Sequence, residues 1–274
     1  CAAIGIHPPA SIEEGARLAD GGSVGPGCRV SSRATLAEGV ELKSHVVIDG
    51  RTSLGARTVV YPFAVLGGPP QHLGYRGEDT SVRIGADCVI REHATVNLGT
   101  VAGRGETVVG DKCFLMTGAH VAHDCVVGSN VILANNATLG GHVSVQDFVF
   151  LGGLCAIHQF CRVGAFAFIG GCAAVPTDVI PYGSANGNHA TLAGLNLVGM
   201  KRRGMTRAAI HDVRAAFRML FADDGSFQER VDGVAAAYPH SDEVMRIVNF
   251  IREDTRRPLM APPRRLWPAG ENLE

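Results

Sequence analysis

The stretch VGSNVILANNATLGGHVSVQDFVFL, residues 127–151, decides the fold. Val127, Leu133, Leu139, Val145 and Leu151 stand six apart in it, and the series extends in both directions. It runs back through Val121, Leu115 and Val109, resumes beyond an interruption at Val96, Ile90 and Ile84, and beyond a second one steps without a miss from Leu66 to Ile6. Forward it passes Ile157, Val163 and Ile169 to Val175, making 26 positions. An even period holds these residues on one face of extended chain, whereas six-residue steps would wander around a helix. Glycine often follows the aliphatic residue, as at Gly128, Gly140, Gly152 and Gly164, so each hexad reads as a short strand and then a bend of permissive backbone. The spacing predicts a mainly β solenoid of short strands.

Composition agrees. With 19% charged residues, 46% hydrophobic residues and 35 glycines in 274, the chain is too apolar for disorder and suits a glycine-cornered β-solenoid. A formal net charge of −1 excludes global attraction to nucleic acid or anionic membrane, so an anionic partner must meet a local cluster such as Lys201-Arg202-Arg203. No apolar run is long enough to span a bilayer, and the expectation is a soluble, cytoplasmic protein with no integral membrane segment. Six of the eight cysteines (Cys28, Cys88, Cys113, Cys125, Cys155, Cys161) fall two positions before the aliphatic residue, on the same strand face. That register predicts buried packing for them in place of disulfides or metal ligation.

The two interruptions, 67–83 and 97–108, carry Pro69, Pro70, Gly74, Gly99 and Gly103 and are expected to leave the scaffold as loops with functional residues. After Val175 the pattern ends, dividing the chain into a repeat domain, 1–186, and a C-terminal helical domain, 187–274. Thr206 N-caps a predicted helix with Ile210, Val213, Phe217 and Leu220 on one face. Ser226 and Glu229 form a capping-box pattern for a second helix that stops near Pro239, and Ser241 opens a third with Val244, Ile247, Val248 and Ile251 inward. The Pro- and Arg-rich end after Arg256 reads as a loosely held tail.

The hexads resemble those of the hexapeptide-repeat acyltransferases, whose triangular left-handed parallel β-helix spends three hexads, or 18 residues, on each coil. The resemblance implies between eight and nine coils here, a prism on the order of 40 Å long at a strand spacing of roughly 4.8 Å. Residues 18 apart then stack on one edge: His123 leads to Gly141-His142 and on to His158-Gln159, with His120 just upstream. Imidazole accepts a proton near neutral pH, so a histidine in this group could serve as general base. Asp124 could hold its tautomer or simply form a turn. The Gly140-Gly141 amides could approach an oxyanion, and glycine there is also ordinary repeat chemistry.

Five segments narrow the resemblance: AHVAHDC (119–125), ILANNATLGGHV (132–143), HQFC (158–161), GNHAT (187–191) and GMKRRG (199–204). Together they look like the acyl-carrier-protein:UDP-N-acetylglucosamine O-acyltransferases of lipid A biosynthesis. Membership implies a homotrimer with active sites between subunits, a UDP-sugar acceptor, and a 3-hydroxyacyl donor carried on the phosphopantetheine of acyl carrier protein, with no metal or other cofactor. It implies His123 as general base on the sugar 3-position, Asp124 as its partner and the Gly141 amide as oxyanion donor. It also places His120, His142, His158, Gln159, His189, Asn196 and Arg203 along the donor or nucleotide-sugar site, while Arg202 and Arg203 suit phosphate or an acidic carrier. Gly171 stands where bulkier residues in relatives shorten the acyl chain, which implies a long donor.

The departures are local. Relatives often read NQDLKY where this chain has Pro70-Gln71-His72-Leu73-Gly74-Tyr75, and IHRGT where it has Val96-Asn97-Leu98-Gly99-Thr100. Val198 replaces an expected glutamate. His72 and Gly74 thus stand where relatives carry the Asp and Lys that hold the sugar, with Gln71 retained beside them, leaving open the 3-hydroxy sugar or its 3-amino analogue. A metal-dependent hydratase of the γ-carbonic-anhydrase type is the alternative on the same fold, with His120 and His123 as i, i+3 ligands.

Overall fold

The computed structural model describes residues 3–253 and 255–263. Twenty-six strands of two to four residues run from Gly5–Ile6 to Ala174–Val175, and each contains one aliphatic residue of the hexad series. Every strand pairs in parallel with the third one along, Val96 beside Val121 and Val121 beside Leu139, for example. The result is three sheets, called I, II and III in the order in which the chain visits them, of 9, 9 and 8 hexad strands, sheet I reaching 11 with the hairpin that follows the last hexad. Nine strands in sheet II match the eight-to-nine-coil expectation. Inside, Val121, Leu133 and Leu139 are fully buried, and all six register-matched cysteines are buried among them.

The bends differ from the expectation. The left-handed corner residue lies three after the aliphatic one and is seldom glycine: Asp124, Asn130, Asn136, His142, Phe148, Leu154, Phe160, Phe166 and Cys172 all have φ between 57° and 67°. Glycine just after the aliphatic residue serves coil-to-coil approach. A Cβ on Gly152 would lie 2.6 Å from the Gly171 nitrogen of the next coil, far inside contact distance.

Both excursions are shorter than the hexad count suggests. Ser81–Ile84 and Glu106–Val109 are four-residue strands paired with each other, and Ser81–Ile84 pairs also with Arg51–Leu54, so the loops span only 69–80 and 98–105. Thr52, Val82 and Thr107 form an extra buried inward rung; two are polar, which hides the rung from an aliphatic count.

After the last hexad, Gly183–Asn186 and Thr191–Leu195 make an antiparallel hairpin that extends sheet I. The 186/187 division falls inside this hairpin, whose non-hexad register hid it; the helices begin at residue 197. They are α1 (Leu197–Arg202), α2 (Arg207–Leu220), α3 (Phe227–Ala237) and α4 (Asp242–Arg252). Thr206, Ser226 and Ser241 are N-caps as predicted, Ser226 within a reciprocal capping box with Glu229. The six residues of α1 show too few turns for a periodic signal.

The tail expectation is corrected as far as residue 263. Asp178, fully buried, binds the Arg162 guanidinium at 2.7 Å and the Thr255 hydroxyl at 2.6 Å. Its backbone pairs with the returning chain, the Asp178 N–H donating to the Pro258 carbonyl and Met260 N–H donating to the Asp178 carbonyl, and Met260 is buried. One buried carboxylate thus fixes a segment whose composition carries no periodic signal. The rest of the expected tail, 264–274, lies outside the described residues.

Candidate active site

Asp124, His142 and Phe160 occupy the same II-to-III corner on consecutive coils, being 18 apart, and His123, Gly141 and Gln159 fill the position before it. Stacking follows. The His142 ring lies flat on Phe160 (centroids 4.5 Å, 9°) and meets His123 edge-on (5.0 Å, 90°). His72, delivered by the 69–80 loop, closes on His123 from another side (5.4 Å, 75°), its Nδ1 accepting the Gly74 N–H; Gln71 beside it is exposed.

The Asp124 side chain has no exposed surface. Its oxygens accept four hydrogen bonds: from Thr100 N–H (3.0 Å), Thr100 Oγ1 (2.6 Å), Arg104 N–H (2.8 Å) and His123 Nδ1 (2.8 Å). The 98–105 loop is therefore wrapped around this carboxylate, and Thr107 Oγ1 accepts the Asp124 N–H from beneath. Burial would raise the Asp124 pKa, but the Thr100 hydroxyl and amide, His123 and the Arg104 amide outweigh it and hold the carboxyl below its ordinary value. A carboxylate at Nδ1 fixes the proton there in the neutral ring, leaving Nε2 of His123 as a free base. Asp124 is thus a turn residue and the partner of His123 at once.

Gly141 lies against the His123 ring: a Cβ would come 2.7 Å from Cε1 and Nε2. The residue is buried, and its N–H finds no acceptor among the described residues. His120 faces outward from its strand with Thr95 Oγ1 2.7 Å from Nδ1, and burial first, then His123, lowers its pKa. For His142 burial also lowers it, and Asp124 only partly compensates from 3.8 Å. His158 and Gln159 sit one coil beyond Gly141, exposed, in contact with Arg257. A cavity of about 490 Å³ opens beside this corner, with Gly103, Arg104, Asp124, His142, Phe160 and Arg256 in its wall.

The other expected residues lie elsewhere. Asn196 caps α1 with Oδ1 and donates to the Phe166 carbonyl, so both ends of its amide are used in the fold. With Arg202 and Arg203 it lines a second cavity, about 710 Å³, at the III-to-I corner, where Arg203 stacks over Phe148. His189 is exposed on the hairpin tip, and Gly171 is at the I-to-II corner above the Gly153 carbonyl. Sequence reasoning missed Thr100, Gly103, Arg104 and Thr107 as Asp124 partners; Phe160, 18 residues from His142, was within reach of the coil count.

Compared with known proteins, the chain is 56% identical over 259 residues to the acyl-[acyl-carrier-protein]–UDP-N-acetylglucosamine O-acyltransferase of Caulobacter vibrioides, covering 94% of this chain and 98% of the relative. The chain belongs to this O-acyltransferase family. The family's Azorhizobium caulinodans member is 55% identical over the same length, covering 94% of this chain and 96% of its own. A solved UDP-N-acetylglucosamine acyltransferase from Campylobacter jejuni superposes with a TM-score of 0.89 at 39% identity, covering 94% of this chain and 100% of that one. Residues 178–260 match the model described as "Udp N-acetylglucosamine O-acyltransferase; Domain 2", and 106–141 match "Bacterial transferase hexapeptide (six repeats)".

The O-acyltransferase family assignment leaves the hydratase alternative without support. His123, Asp124 and His142 do bring donor atoms within 4.8 Å of one another. However, both Asp124 oxygens are occupied by hydrogen bonds, and Cys125 is a poor thiolate, its pKa pushed up to about 12 by burial. His120, the other ligand of that reading, is turned to Thr95.

Proposed function

We propose that this chain transfers a long 3-hydroxyacyl group from the phosphopantetheine arm of acyl carrier protein to the 3-position of UDP-N-acetylglucosamine, or of its 3-amino analogue, opening lipid A biosynthesis in the cytoplasm. The observation that carries this reading is the buried Asp124–His123 pair with the unpartnered Gly141 amide against the same ring. His123 Nε2 removes the proton of the acceptor, which attacks the thioester carbonyl; the Gly141 N–H receives the developing oxyanion. Collapse breaks the C–S bond, and the His123 imidazolium returns its proton to the leaving thiolate. Asp124 stabilises the imidazolium between these steps. The chain's own groups account for each step, without a metal or other cofactor.

A left-handed coil and a homotrimer belong to the same proposal. The His123 corner and the Arg202–Arg203 corner are separate in one chain, so a second copy is needed to join them. An apolar ladder on the outer side of sheet I, Val59, Val89, Phe114, Ile132, Phe150 and Phe168, supports such packing. At equivalent outer positions sheet III is mixed, running Arg83, Val108, Val126, Ser144 and Arg162. Among the described residues no helix is long and apolar enough to cross a membrane.

Replacing His123 with Ala is expected to lower acyl transfer by about 10²–10⁴-fold, the usual worth of a general base, with the fold intact. Product mass spectrometry with both sugar nucleotides and a ladder of acyl-carrier donors checks it and identifies the acceptor; turnover by His123→Ala close to the parent's sinks the assignment.

A further inference from the structure

The segment after α4 brings Arg257 to the active-site corner, where no role has yet been given to it. Its backbone is fixed from both sides by Asp178, through the Thr255 hydroxyl at 2.6 Å and the amide of Met260 at 2.7 Å. From this anchored position the guanidinium donates to His158 Nδ1 at 2.7 Å and to the Gln159 carbonyl at 3.1 Å. Guanidinium has donors only, so His158 Nδ1 is the acceptor in that contact. The neutral ring then carries its proton on Nε2. The Gln159 carbonyl, 3.2 Å from the same Nδ1, is an acceptor too, and the guanidinium joins the pair.

We infer that Arg257 is a positioning residue for substrate binding: it holds His158 in the Nε2–H tautomer, so that the ring presents a hydrogen-bond donor to an acceptor oxygen of the substrate, a phosphate or amide carbonyl. The tautomer follows from the geometry of this chain alone; the identity of the substrate rests on the acyl-transfer reading. A purely structural role is already filled, because Asp178, Thr255 and Met260 pin the segment without Arg257. Lysine is a poor substitute, since one ammonium on a flexible stem does not reproduce the fork that reaches both the ring nitrogen and the carbonyl.

The test uses the full-length protein labelled with ¹⁵N-histidine at a pH where imidazole is neutral, with His158→Gln identifying the ring signals. The parent should show a protonated Nε2 and an unprotonated Nδ1 at His158, and Arg257→Ala should move the ring toward mixed tautomers. In steady-state acyl transfer Arg257→Ala should raise KM about tenfold, the worth of one charge-assisted hydrogen bond, with kcat within about twofold. Arg257→Lys should fall between, guarding against a general folding defect in the alanine variant. In a His158→Ala background the Arg257→Ala change should add nothing further. Unchanged His158 signals in Arg257→Ala overturn the tautomer inference whatever the enzyme's activity. A changed tautomer with KM unchanged for both substrates, or independent effects in the double variant, overturns the substrate role. A parent protein that binds neither substrate defeats the acyl-transfer reading while leaving the tautomer result standing.

Discussion

Gly103→Ala tests whether the 98–105 loop sets the proposed catalytic pair, His123 and Asp124. A Cβ on Gly103 would sit 2.4 Å from Asp124 Cγ and 2.5 and 2.6 Å from its two oxygens. Carbon–carbon contact needs about 3.5 Å, so the loop or the carboxylate must move by roughly 1 Å. Either movement stretches the Thr100 and Arg104 bonds to Asp124 and turns His123 away from its aligned position. A 1 Å misplacement of a reacting group costs on the order of 10²-fold, about 2.7 kcal/mol of barrier, so kcat should fall by that factor. The assay is product formation by mass spectrometry at saturating substrates, beside thermal unfolding. Gly105→Ala is the comparison: its Cβ meets nothing within 4 Å, but its φ of +72° makes the backbone strained. That variant should lose roughly 1–2 kcal/mol of local stability and little kcat. Equal activity losses in the two variants, or a Gly103→Ala enzyme within about threefold of the parent, would refute the steric argument.

Two further outcomes follow from burial and packing. The lowered pKa values of His120 and His142 mean that the unfolded chain binds more protons than the folded one between the folded values and about 6.5, so stability should rise with pH up to that point. Urea midpoints across this window measure it, and a flat profile counts against the buried, neutral rings; the contribution of Asp124, with its lowered pKa, is lost only further into acid. Phe114→Glu, on the outer face of sheet I, should convert the proposed trimer to smaller species in light scattering and remove activity with it; an unchanged mass refutes the use of that face.

Much of this was legible in the residues. The 26 aliphatic positions each found a strand because burial of one face every six residues is a local constraint, and Thr206, Ser226 and Ser241 capped helices because capping depends on the next three residues. The stacking of His123, Gly141 and Gln159 came from counting to 18. The partners of Asp124 did not, because Thr100 and Arg104 sit in a loop whose path has no period. The same holds for Arg257, placed by a buried carboxylate 79 residues earlier in the chain. The choice of glycine after the aliphatic residue was visible, but its reason, the backbone of the next coil, exists only once coils are stacked.

The unequal loops have a consequence for folding. Near-identical rungs invite a growing solenoid to close on the wrong neighbour, one whole coil out of step. Partner residues are 18 apart from Gly5–Ser23 onward, yet the offset becomes 30 between Arg51 and Ser81 and 25 between Ser81 and Glu106. These two irregular steps mark the ladder. A chain misaligned by a coil would leave Asp124 without the Thr100 and Arg104 donors, burying a carboxylate stripped of three of its four hydrogen bonds, so the residue that orients the proposed base would also penalise incorrect winding.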